Sequence, residues 1–221
     1  VEYLGQAQRQ SELFANVPIV FGLALFLMFL LLTLTFRSLP QALVMLPLIM
    51  LGLMGAIWGH GIHGIPVSIL SMFGLLAVTG IVVNDAVVFV AKYNQNLKLE
   101  GMTVKQAVID AGVARFRPIL LTSVTTIAGL YPLVLETDRQ AQFLIPMAIT
   151  VVYGVFFGTL LILFFLPSIL MALNELRRVL YWFWQGERIT AEMVEPSVRE
   201  KMRQQDHNSF IDPNYNLQDS E

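Results

Sequence analysis

The residue whose chemistry is least expected in its surroundings is Asp85, which stands in a long run of apolar residues. A carboxylate at the centre of a bilayer costs about 2.5 to 3.5 kcal/mol on insertion scales, so an intramembrane aspartate is by default a functional-site candidate. Its carboxyl group can bind and release a proton, whereas the neighbouring Asn84 and the later Thr122 can only orient it or form hydrogen bonds. The alternative is that Asp85 reaches the membrane interface and only supports packing.

Small and hydroxyl-bearing residues recur at helical spacing around these positions. One predicted helix face carries Gly74, Ala77, Gly80 and Asn84, with Asp85 at its edge, and a second carries Thr122, Thr125, Thr126 and Gly129. Small residues let neighbouring membrane helices approach closely, and the spacing of Gly154 and Gly158 likewise predicts close helix packing. Each threonine hydroxyl can equally bond the carbonyl one turn back in its own helix.

Several other kinds of chemistry are disfavoured by the residues present. The chain has no cysteine, which removes thiol catalysis and thiolate metal sites, and a net charge of −2, which disfavours nucleic acid as a partner. His60 and His63 have no acidic or thiol neighbour in sequence, and a metal site needs three or four ligands. The chain has no GxxxxGK[ST] phosphate loop and no second intramembrane carboxylate for an aspartyl hydrolase. We therefore expect no enzyme, no metal and no cofactor.

The composition indicates a membrane protein. Of the 221 residues, 56% are hydrophobic and 14% are charged, whereas soluble domains carry about 25% charged residues. A bilayer core about 30 Å thick requires roughly 20 apolar residues in a helix. Five stretches fit, at about 17–36, 42–62, 65–91, 119–135 and 143–173, and Asp85 is the one charged residue within them. The predicted fold is all-α, a polytopic bundle of five transmembrane helices.

The loops predict the orientation of this bundle. Eight basic residues fall on one side of the predicted spans (Arg37, Lys92, Lys98, Lys105, Arg115, Arg117, Arg177 and Arg178), against Arg9 and Arg139 on the other. The side richer in Lys and Arg faces the cytoplasm. We therefore expect residues 1–16 to form a periplasmic stub and the C-terminus to be cytoplasmic. The chain begins without a methionine and without a signal peptide, and we expect it to start within a longer protein.

Two segments outside the spans have patterns of their own. Thr103 and Gln106 have capping-box spacing, and apolar residues follow at i, i+3, i+4 and i+7, which predicts a cytoplasmic amphipathic helix at about 103–115. This helix either packs on the inner end of the bundle or lies on the membrane surface. Residues 174–221 predict a cytoplasmic tail that is partly disordered, because residues 185–221 have too few apolar residues to build a core. At its start, Tyr181–Trp184 follow Arg177 and Arg178 and predict an interfacial aromatic anchor.

Several motifs together resemble a known family. The run from Arg115 to Ser123 (RFRPILLTS), with Glu100-Gly101, Ala107 and Asp110-Ala111 before it, closely resembles the cytoplasmic connector and eleventh helix of RND (resistance-nodulation-cell division) efflux pumps of the AcrB type. The run from Gly80 to Ala86 (GIVVNDA) resembles that family's tenth helix. Gly129–Leu133 and Phe164–Pro167 resemble parts of its eleventh and twelfth helices. The resemblance covers roughly residues 17–173.

The resemblance implies a function for the complete protein. Such pumps are proton-driven antiporters of the bacterial inner membrane that export hydrophobic or amphiphilic compounds, and this chain would supply helices eight to twelve. It would need the N-terminal half of the transporter as a partner, besides membrane lipid, and would join a homo-oligomer and a periplasmic adaptor through domains beyond this sequence. The family's proton relay places an Arg and a Thr at the positions of Arg115 and Thr122, whereas its Lys position is Asn84 here.

We therefore interpret the chain as the C-terminal transmembrane half of a proton-coupled RND-type multidrug exporter. Asp85, Asn84, Thr122 and Arg115 are its proton-relay candidates, and the Asn at the Lys position departs from the family's usual switch. A non-transporting membrane scaffold or binding subunit is one alternative. A lipid- or protein-export branch of the same superfamily is another, because the residues that select a substrate lie outside this sequence.

Overall fold

The computed structural model describes residues 2–36, 38–99, 102–185, 190–191 and 193–211, with the side chains of 2–15, 44, 51, 185, 200 and 206–211 outside the description. These residues form six helices and no strand: α1 (Glu2–Phe36), α2 (Leu39–His63), α3 (Ile69–Leu97), α4 (Val104–Val134), α5 (Ile145–Gln185) and α6 (Pro196–Ile211). The first five are long and apolar enough to cross a membrane. The predicted all-α polytopic fold is confirmed.

Local signals explain where these helices begin and end. Ser38 is extended before α2, and Gly64 ends that helix in the left-handed region at φ 64°, where a residue without a Cβ is not strained. At the start of α4, Thr103 N–H donates to Gln106 Oε1 (3.0 Å) and Gln106 N–H donates to Thr103 Oγ1 (3.3 Å). This reciprocal pair is the capping box predicted from the sequence.

The structure corrects the predicted boundary between the amphipathic helix at 103–115 and the fourth span at 119–135. Both belong to one continuous helix, α4, with Pro118 and Pro132 inside it. Proline removes one backbone donor but has a helical φ, so in a membrane helix it need not end the helix. The chain therefore enters the span without a turn.

The apolar face of that N-terminal part of α4 is buried. Val104, Ala107, Val108 and Ala111 are each at most 6% exposed, and Asn96 Nδ2 of α3 donates to the Ala107 carbonyl (3.2 Å). The apolar face of this segment therefore packs against other residues of the second unit.

Three predicted segments differ in extent from the helices observed. Residues 2–16 of the predicted stub are part of α1, the fifth span continues in α5 as far as Gln185, and the predicted tail contains α6. Residues 186–189 and 212–221 of the tail lie outside the described residues, as do Arg37, Glu100 and Gly101.

The chain divides into two compact units, one of Val1–Val88 with Arg115–Leu166 and one of Phe89–Ala114 with Pro167–Glu221. The composition, by contrast, suggests a single module at 17–173 with a separate tail. In the first unit, Val134, Ile145, Ala148, Ile149 and Val152 form an apolar cluster where α4 ends and α5 begins. In the second unit, Phe89 and Tyr93 of α3 are almost fully buried.

Candidate functional site

Asp85 lies on α3 in the first unit and is 4% exposed. Its Oδ2 is buried and has no hydrogen-bond partner. No ion pair within the described part of the chain includes Asp85. An unpaired carboxyl group inside an apolar bundle is costly, which makes a purely structural role harder to explain.

Asn84 is exposed, although it directly precedes the buried Asp85. Consecutive helical residues point about 100° apart, so the two side chains occupy different faces of α3. The exposed face also carries Ala77 and the half-buried Gly80, where a Cβ in place of the glycine hydrogen would meet no atom within 4 Å. The residues that the structure describes therefore leave this small and polar stripe uncovered.

Gly74 does not belong to the uncovered stripe. A Cβ at Gly74 would lie 2.9 Å from Thr150 Cβ of α5, so this glycine serves a close contact within the chain. Gly154 and Gly158 do the same, since added Cβ atoms would lie 2.7 Å from Val78 Cγ2 and 2.6 Å from Val82 Cγ2. These three residues pack α3 against α5, while Gly129, like Gly80, has open space around it.

Thr122 is exposed on α4, and its hydroxyl donates to the Ile119 carbonyl at 2.9 Å. Thr126 bonds the Thr122 carbonyl in the same way (2.8 Å), so these hydroxyls adopt the local bonding that helical threonines favour. Arg115 is half-buried, and its Nε is buried without a hydrogen-bond partner. The structure records no hydrogen bond or ion pair among Asp85, Asn84, Arg115 and Thr122, four residues that it describes in full.

Sequence reasoning missed a buried hydroxyl pair between α4 and α5. Ser123 Oγ lies 2.6 Å from Thr159 Oγ1, and it also donates to the Ile119 carbonyl at 2.9 Å. Because a hydroxyl has one proton, that second bond leaves Thr159 as the donor to Ser123. The sequence signals only that both helices carry hydroxyl residues, and it does not indicate which of them meet.

The two histidines of α2 bond to α5 and to the following loop. His60 Nδ1 lies 2.9 Å from the Ile65 carbonyl and Nε2 lies 2.9 Å from Thr150 Oγ1. His63 Nε2 lies 3.0 Å from Tyr153 Oη. Since a carbonyl only accepts hydrogen bonds, His60 carries a proton on Nδ1. Both rings therefore connect α2 to α5, and His60 also bonds the loop that follows α2.

Comparison with known proteins establishes the family. Residues 1–174 match the model of the AcrB/AcrD/AcrF family. The chain belongs to this family. The RND resemblance predicted from the Arg115–Ser123 and Gly80–Ala86 runs is thereby confirmed, and the chain is part of a multi-pass membrane protein of the RND efflux permeases.

Relatives in this family carry several different names. The chain is 34% identical over 129 residues to multidrug resistance protein MdtC of Erwinia amylovora, covering 58% of this chain and 13% of that one. It is 29% identical over 169 residues to nickel and cobalt resistance protein CnrA of Cupriavidus metallidurans, covering 76% and 16%. A crystal structure of a heavy metal efflux pump matches with a TM-score of 0.66 at 27% identity, over 74% of this chain and 16% of that one. The chain thus spans about a sixth or less of the length of these relatives.

Proposed function

We propose that this chain is the C-terminal transmembrane part of a proton-coupled RND exporter in a bacterial inner membrane, a secondary transporter and not an enzyme. The observation that carries the proposal is Asp85, a buried carboxyl group in the middle of a membrane helix with an unpartnered oxygen. Intramembrane ionisable groups mark proton and substrate pathways. Family membership supports the transport role.

In this proposal Asp85 binds and releases the proton, because it is the group that can change charge. Asn84 and Thr122 are exposed on α3 and α4, where they hydrogen-bond groups on the N-terminal half of the transporter. Transporter sites of repeat proteins form between such halves. Arg115 contributes a fixed positive charge to this site, and its buried Nε has no hydrogen-bond partner.

The uncovered small residues also support a contact with the N-terminal half of the transporter. Ala77, Gly80 and Gly129 are partly or fully exposed with room for a neighbouring backbone. Stripes of this kind let membrane helices approach closely. We assign them to contacts with the N-terminal half, with oligomer and adaptor contacts made by domains outside this chain.

For the substrate, we propose hydrophobic or amphiphilic compounds. The name of MdtC as a multidrug resistance protein supports this class. The names of CnrA and of the heavy metal efflux pump point to cations in those proteins. Resistance measured separately for organic dyes and for nickel or cobalt distinguishes the two classes.

The test replaces the titrating group and keeps its shape. Asp85→Asn in the protein at its native length should lower dye efflux that depends on the proton gradient at least tenfold, at equal abundance in the membrane. Asp110→Asn, the same substitution at an exposed position of α4, should leave efflux unchanged. Wild-type efflux from the Asp85→Asn variant would make Asp85 structural and would refute its role as proton carrier.

The proposed orientation of the chain in the membrane has a separate test. Reporter fusions after Gln41, Lys98 and Arg178 should report a cytoplasmic location, and fusions near His63 and Arg139 a periplasmic one, because Lys and Arg are concentrated on the first side. A cytoplasmic signal at Arg139 would contradict the proposed cytoplasmic C-terminus.

A further inference from the structure

A cavity of about 360 Å³ that is largely open to the surface lies in the second unit, beside the C-terminal end of α5. Its walls are Arg177, Leu180, Tyr181 and Trp184 of α5, with Val194 and Arg199 from the segment that leads into α6 and from α6 itself. Two guanidinium groups therefore share a small space with aromatic and aliphatic side chains. Neither the transport proposal nor the relay residues use this cavity.

One guanidinium is held rigidly by a buried network. Glu195, 1% exposed, accepts from Arg177 Nη1 through Oε2 (2.7 Å) and from Asn174 Nδ2 through Oε1 (2.7 Å). Arg177 Nη2 is buried and has no hydrogen-bond partner. A guanidinium has five N–H donors, and buried donors are normally satisfied. Arg177 is thus a fixed cation in the cavity wall with unused hydrogen-bonding capacity.

The second guanidinium has no carboxylate partner among the described residues. Arg199 Nε donates to the Met193 carbonyl (3.0 Å), and its Cζ lies 5.3 Å from the centre of the Tyr181 ring. These contacts hold the guanidinium over the ring and leave its Nη groups for a ligand. Among the described side chains of the cavity and its network, two guanidinium charges face one carboxylate, so an anion is favoured.

The apolar part of the wall indicates where the anion comes from. Leu180 is 49% and Trp184 is 82% exposed, next to the two arginines. They lie in or next to the Tyr181–Trp184 segment, whose aromatic residues beside Arg177 and Arg178 have the composition of a membrane-interface anchor. A free phosphate ion would gain nothing from these apolar residues, whereas a phospholipid places its phosphate and its acyl chains side by side.

We propose that this cavity binds the phosphate of an anionic phospholipid. Arg177 and Arg199 contact the phosphate oxygens, Tyr181 and Trp184 lie at the headgroup and glycerol level, and Leu180 contacts an acyl chain. Bound lipid would then connect α5 with the segment preceding α6, both of which already meet at Glu195. The assignment does not depend on the transported substrate.

The experiment measures lipid affinity of the native-length protein in detergent by native mass spectrometry. Phosphatidylglycerol and phosphatidylcholine with identical acyl chains are titrated in parallel. A basic residue near an anionic membrane surface contributes enough for about a fivefold change in affinity. We expect wild type to prefer phosphatidylglycerol at least fivefold, and Arg199→Gln to lose most of that preference. Arg199→Lys, which keeps the charge, should retain part of it.

The matched control is Arg178→Gln. Arg178 is the next residue after Arg177, is paired with the exposed Glu175 at 2.8 Å, and does not line the cavity. This variant should keep the wild-type preference. Equal affinity of wild type for the two lipids, or equal losses in Arg199→Gln and Arg178→Gln, would overturn the proposal. Displacement of the lipid by millimolar inorganic phosphate would assign the cavity to a small anion instead, and would also overturn it.

Discussion

A close glycine contact in the first unit, at Gly55, gives a quantitative test of the helix packing. A Cβ built at Gly55 of α2 would lie 2.6 Å from the Tyr153 carbonyl oxygen and 2.6 Å from Phe157 Cβ, both on α5. Ordinary van der Waals contact begins at 3.4 Å, so Gly55→Ala requires a separation of 3.4 − 2.6 = 0.8 Å. Neither of the two contacted atoms is at the end of a flexible side chain, so the helices themselves must move apart.

The loss of stability expected for Gly55→Ala follows from the cost of overpacking a protein interior. One extra methyl group forced into a packed interior costs about 1 to 3 kcal/mol. Gly61→Ala, on the same helix with nothing within 4 Å of the added Cβ, changes the helix propensity in the same direction without the clash. The difference in the free energy of unfolding between the two variants should therefore be about 1 to 3 kcal/mol, with Gly55→Ala the less stable.

Unfolding by SDS in mixed micelles, followed by circular dichroism, measures this difference on the purified native-length protein. Both variants are compared with wild type at the same detergent concentration. Equal stability of Gly55→Ala and Gly61→Ala would show that α2 and α5 are not in close contact at Gly55, and the glycine argument for this interface would fail.

Two further contacts make predictions of the same kind. A double-mutant cycle with Ser123→Ala and Thr159→Val should give a coupling energy of about 0.6 to 1.7 kcal/mol, as for other interhelical hydrogen bonds in membranes. Thermal unfolding measures this energy, and an absence of coupling would contradict the 2.6 Å bond. Glu195→Gln should destabilise the second unit by about 3 to 5 kcal/mol, because it leaves the guanidinium of Arg177 buried without its carboxylate. Glu175→Gln should cost under about 1 kcal/mol at its exposed pair, and proteolysis rates near α6 that are equal in the two variants would refute the distinction.

Much of the fold is predictable because its signals are local. Five apolar stretches of sufficient length predict five membrane helices, since a helix must satisfy its own backbone in lipid. The Thr103 and Gln106 spacing predicts the start of α4, and both partners of that cap lie three residues apart. The Arg115–Ser123 motif predicts the family without any tertiary information.

Local sequence signals do not predict that α4 is one continuous helix. Pro118 and the change from polar to apolar residues suggest a break between a surface helix and a span, yet the helix runs through. A helix can either end at such a proline or continue through it. The packing of Val104, Ala107, Val108 and Ala111 against the rest of the protein determines which of the two occurs.

The side-chain pairings between distant parts of the chain depend on tertiary contacts. Ser123 meets Thr159 across 36 residues, His60 meets Thr150 across 90, and Arg177 meets Glu195 across 18. Periodicity indicates which face of a helix is apolar, but not which helix covers it. The amino-acid order is enough to place Asp85, an ionisable group, within a membrane span. Its burial, and the exposure of Asn84 beside it, follow from how α3 is turned toward its neighbours, which depends on contacts that no local pattern contains.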